Sequence, residues 1–100
     1  MYDTDSILQR IEINMPMIKG YGVKRIGLFG SFARGEQTDL SDVDVLVEFH
    51  QDQKTFDNYM DLKYFLEELL DRKVDLVIAE AIKPDIKSNI TGSVRYVQGF

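Results

Sequence analysis

A chain of 100 residues is long enough for one hydrophobic core and too short for two. Hydrophobic residues at 44% and charged residues at 29% are ordinary for a soluble globular protein, and the lack of cysteine excludes disulfides and thiolate metal sites. A net charge of -5 argues against a long DNA or RNA partner, because such binding rests on Lys and Arg neutralising phosphates.

No apolar run approaches the roughly 18 residues of a membrane span. The acidic start Met1-Tyr2-Asp3-Thr4-Asp5 lacks the basic-then-apolar layout of a signal peptide, so a cytoplasmic protein without membrane contact is expected. Thr4 or Ser6 can cap a first helix, with Ser6 to Gln9 as a capping box. Ile7, Leu8, Ile11, Met15 and Ile18 recur at helical spacing and should face the core. Pro16 should break that helix, placing its end near Asn14. Gly20 and Gly22 then turn the chain into a strand, Val23 to Phe29.

After Gly30-Ser31, the segment Phe32-Ala33-Arg34 reads as the first turn of a short helix. Gly35-Glu36-Gln37-Thr38-Asp39 reads as a loop leading to a second strand, Val43 to Phe49. His50, the sole histidine, has no partner pattern and is expected to be exposed. Thr55 can cap a helix from Phe56 to Asp71, whose apolar stripe is Tyr59, Leu62, Phe65, Leu66 and Leu69. Lys73 to Ile78 is the third strand, with Val74, Leu76 and Ile78 on one face and Asp75 on the other. Pro84 suits the start of a last helix to about Ile90, with Lys83 and Lys87 as solvated surface. Gly92 can end that helix, and Val94 to Val97 can form a short final strand.

Chemistry concentrates in LFGSFARGEQTDLSDVDVLV, residues 28 to 47. A helix that starts directly after a strand presents unpaired backbone N–H groups, which suit an anionic phosphate. Gly30 allows close approach of the backbone, Ser31 adds a hydroxyl, and Arg34 can add a charge-assisted hydrogen bond. Ten residues, 32 to 41, separate Ser31 from Asp42. Asp42 and Asp44 stand one pleat apart, about 7 Å between Cα atoms, on the face opposite Val43, Val45 and Val47. Two carboxylates that close repel unless a cation sits between them. Magnesium suits such a pair, because it commonly takes one or two carboxylates plus substrate phosphates. Singly, Asp-x-Asp is more often a solvated strand end, Gly-Ser more often a plain turn, and Asp75 an edge residue facing solvent.

The joint pattern GSFARGE…SDVDVLVEF resembles the signature of the DNA polymerase beta-type nucleotidyltransferases, and in particular their minimal bacterial and archaeal branch. The resemblance runs from Val23 to about Val97, and VDLVIAEAIKP matches the place of a third acidic residue, Asp75. It implies a single α/β domain over residues 1–100, with a mixed, twisted sheet of three to four strands and helices mainly on one face. Thr91-Gly92-Ser93 departs from the longer helix that the family pattern implies there.

By the same resemblance, Asp42, Asp44 and Asp75 would be the catalytic and metal-binding carboxylates, holding two magnesium ions. Gly30, Ser31 and Arg34 would bind the nucleotide, with ATP the expected donor of AMP. Chains this small in the family commonly accompany a helical HEPN protein as antitoxin and toxin, which makes a tyrosine hydroxyl of that partner the expected acceptor. Two alternatives stand beside this. One is a catalytically vestigial module that neutralises the partner by binding, and the other is a transferase for a small hydroxylated molecule. Homo- and hetero-oligomers both remain open at this point, as do the acceptor and the base preference.

Overall fold

A computed structural model describes residues 3–38, 41–81 and 94–97. Helix α1 spans Thr4–Ile13 and α2 spans Met15–Lys19. The cap of α1 is Asp3 rather than Thr4 or Ser6: the Asp3 carboxylate accepts the Ser6 backbone N–H at 2.7 Å. One free amide of the first turn is satisfied in this way. The Thr4 hydroxyl is instead buried and donates to the Phe32 carbonyl. The first helix does stop at Asn14, but Pro16 then sits in the first turn of α2. There its missing N–H would have lacked a helical partner in any case.

Strands β1 (Val23–Phe29) and β2 (Val43–Phe49) have the bounds that the sequence predicts. Helix α4 (Phe56–Leu70) is capped by the Thr55 side chain, which accepts the Asn58 N–H. Strand β3 covers Val74–Ile78, and β4 is only Arg95–Tyr96. The sheet order is β3-β2-β1-β4. β1 runs antiparallel to β2 and β4, whereas β2 and β3 are parallel. A parallel pair needs a crossover, and α4 supplies it. The sheet is therefore mixed, as expected.

Period-two alternation sends Val43, Val45, Val47 and Phe49 of β2 into the core. They pack with Ile7, Ile11, Met15 and Ile18 of the first two helices and with Leu62, Leu66 and Leu70 of α4. The opposite face of the same strands is left to other work. There Phe29, Asp44 and Asp75 lie side by side on β1, β2 and β3. His50 is exposed. The last predicted helix, Pro84 to Ile90, lies outside the described residues, together with Lys83, Lys87 and Thr91-Gly92-Ser93. No helix among the described residues is long and apolar enough to cross a membrane.

Candidate active site

Helix α3, Gly30–Arg34, follows β1 without an intervening loop. It begins at Gly30, two residues before the predicted Phe32, because Phe29 is still extended and acts as the N-cap. No side chain caps this end, so Gly30-Ser31 forms an open first turn. Phe32 is fully buried and pins the helix to the core. Gly35, at φ 70°, closes it in the left-handed conformation.

Gly30 has φ 71°, a region open mainly to glycine. A Cβ there would lie 2.1 Å from Asp44 Oδ2 and 3.0 Å from Asp44 Cγ. The glycine thus makes room for the Asp44 carboxylate beside the first turn of α3. Sequence reasoning assigned Gly30 to ligand approach alone and missed this second constraint.

Asp44 is the register partner of Asp75 across the parallel pair, and Asp42 precedes β2 by one residue. Asp42 and Asp75 are exposed, whereas Asp44 is partly buried beneath α3. Burial pushes the Asp44 carboxyl above its usual range, and the negative charges of Asp75 and Asp42 push it further. The Arg34 guanidinium opposes them. The three predicted aspartates and Arg34 therefore share one electrostatic neighbourhood on the face away from the helical core. Arg34 also pairs with Glu36, Nε to Oε1 at 2.5 Å, a partner that the sequence reading did not assign.

Among the described residues, no group of three or more His, Asp or Glu side chains is already gathered as a metal cage. The donor chemistry nonetheless suits magnesium, which needs one or two protein carboxylates and takes its other ligands from water and phosphate. Two clefts among the described residues lie elsewhere. One of about 360 Å³, lined by Phe56, Tyr59 and Ile78, opens at the far end of β3 from Asp75. Another of about 370 Å³ adjoins His50.

Two supports of the site carried no signal in the sequence. Glu67 on α4 accepts the Val74 N–H at 3.1 Å, one residue before Asp75. Arg72 donates to the Ser41 carbonyl at 3.3 Å, one residue before Asp42. Nothing in the local spacing marks either contact, since the Arg72 partner is 31 residues away.

Residues 15–97 match the nucleotidyltransferase domain family. The chain belongs to that family. Among its relatives is a provisionally named protein adenylyltransferase of Methanocaldococcus jannaschii, 46% identical over 79 residues, which are 77% of this chain and 79% of the relative. A solved structure described provisionally as a minimal nucleotidyltransferase superposes with a TM-score of 0.83 at 31% identity, covering 94% of this chain and 95% of its own. The same fold occurs in a complex of a tri-AMPylated Shewanella oneidensis HEPN toxin with MNT antitoxin. There the TM-score is 0.64 at 21% identity, over 93% of this chain and 73% of that one.

Proposed function

We propose that this nucleotidyltransferase, a single domain over residues 1–100 working in the cytoplasm, transfers AMP from ATP with magnesium to a hydroxyl acceptor. The acceptor we infer is a tyrosine of a small helical HEPN partner, which the modification would silence. The observation that carries this reading is that Asp44 stands against Gly30 and in register with Asp75, with the charges of Asp42 and Asp75 both acting on it. The relative named for protein adenylylation and the AMPylated HEPN toxin complex of the same fold support the choice of acceptor.

In this reading Gly30 and Ser31 hold the triphosphate through the open first turn of α3, and Arg34 supports its charge. Asp42 and Asp44, with Asp75 as the third carboxylate, would hold the magnesium that the triphosphate carries. Bound magnesium, two ions in the full site, would supply positive charge at the attacking and leaving oxygens. Asp75, exposed at the start of β3, faces the acceptor and favours loss of its hydroxyl proton. The acceptor oxygen forms a bond to the α-phosphorus while the bond to the bridging oxygen breaks. Pyrophosphate leaves with that electron pair.

Incubating the chain and a HEPN partner with ATP labelled at either the α- or the γ-phosphate tests the reaction type. Label should reach the acceptor from the α-position and leave as pyrophosphate from the γ-position. Transfer of the γ-label alone would mean phosphoryl transfer and overturn the proposal.

A further inference from the structure

Two consecutive residues after α4, Arg72 and Lys73, hold the approach to Asp42 from both sides. Arg72 Nη1 donates to the Ser41 carbonyl at 3.3 Å, and the Lys73 carbonyl accepts the Val43 N–H at 2.9 Å. Asp42 lies between those two hydrogen bonds, so both peptide planes that set the direction of its Cα–Cβ bond are fixed. The Arg72 guanidinium also lies over the Phe32 ring, Cζ 5.5 Å from the centroid. Phe32 is the buried anchor of α3, one residue after Ser31. Ser41 itself is braced: its hydroxyl accepts the Thr38 N–H at 2.8 Å, and its own N–H donates to the Thr38 carbonyl at 3.1 Å. Two residues beyond Arg72, Val74 is tied to Glu67 at 3.1 Å, which sets the start of the strand that carries Asp75.

From this geometry we propose that Arg72 is a positioning residue: through the Ser41 peptide and the Phe32 ring it holds Asp42 in register with the phosphate turn. The inference rests on the reading of Asp42 as a ligand of the magnesium–nucleotide complex. Arginine suits the task because one planar group can donate to a carbonyl and lie over an aromatic face together. Lysine offers a point charge on a flexible stem and cannot satisfy both partners in one geometry.

A double-mutant cycle on ligand affinity tests this, with the α,β-methylene analogue of ATP and magnesium as the probe, titrated by calorimetry. Arg72→Met should weaken binding on the order of ten-fold in the wild-type background, the usual range for loss of a group that orients a metal ligand. In an Asp42→Asn background the same substitution should change affinity by no more than about two-fold, because the ligand it positions is already gone. Arg72→Lys runs through the same cycle and should fall between the two. It supplies the measurement if the methionine variant does not fold. Equal weakening in both backgrounds, with Asp42→Asn itself impaired, would make Arg72 a stabiliser only and overturn the inference while leaving the proposed function standing. Wild-type affinity in Asp42→Asn alone would overturn the assignment of Asp42, and the role of Arg72 with it.

Discussion

A Cβ on residue 30 would meet Asp44 Oδ2 at 2.1 Å, so these two positions answer to each other before any ligand arrives. Gly30→Ala imposes a left-handed backbone conformation on alanine, which costs about 1–2 kcal/mol. It also forces the Asp44 side chain to move. The expected outcome is a lower urea midpoint together with loss of magnesium–ATP binding by calorimetry. Binding at wild-type affinity would show that Asp44 need not stand where it does. The charge of Asp44 gives a second, signed prediction. Its native carboxyl titrates above the ordinary 3.8, from burial first and then the charges of Asp75 and Asp42. Between that value and the raised one the native state holds more protons than the unfolded chain, so stability falls as pH rises through the window. Above the window the penalty is fully present. Asp44→Asn removes it, so the ligand-free variant should match the wild type on the acid side and melt level with it or higher at neutral pH. Melting curves of both proteins across that range check the sign.

At the scale of elements, strands β1 and β2 were legible to the residue, because Gly22 and Gly30 bound the first and the polar residues Asp42 and His50 bound the apolar run of the second. The cap of α1 was not legible. Asp3, Thr4 and Ser6 are all good caps, and the choice turns on Thr4 being drawn to the Phe32 carbonyl, 28 residues away. The start of α3 was missed for a related reason: Gly30 is a poor helix former, and its positive φ and the room that Asp44 needs explain its place in the first turn. Arg72 and Glu67 were illegible because their partners come from other elements. The end of α4 yields a prediction of its own. Asp71 adopts φ 51°, the one positive value outside glycine among the described residues. Glycine is the preferred residue in such a left-handed position after a helix. Asp71→Gly should therefore stabilise the fold by roughly 0.5–1 kcal/mol, set against some gain in unfolded-chain entropy. A thermal melt should show a rise of a few degrees, and a fall would mean that Asp71 makes a contact worth more than its backbone strain.

For the molecule as a whole, what matters is that the candidate site belongs to no single element. Gly30 and Ser31 come from the first turn of α3, directly after β1, Asp42 and Asp44 from the start of β2, and Asp75 from β3 across a parallel pairing. These positions span three adjacent strands that share one core with α1, α2 and α4. A ligand that bridges them binds only the folded arrangement, and so must stabilise it by mass action, about 2.7 kcal/mol when its concentration is a hundred times its dissociation constant. Magnesium or ATP alone should do little, since each completes the coordination or the charge balance of the other. Together they should raise the melting temperature of the wild type by several degrees, on the scale of about 4–8 °C per kcal/mol for a domain of this size. Asp44→Asn keeps the shape of the side chain and removes the charge nearest the phosphate turn. Its melting temperature should stay unmoved by the same mixture, and its transfer of AMP should fall steeply. A variant that melts several degrees below wild type without ligand, is stabilised equally by magnesium and ATP, and still transfers nucleotide would show that Asp44 serves the fold rather than the reaction.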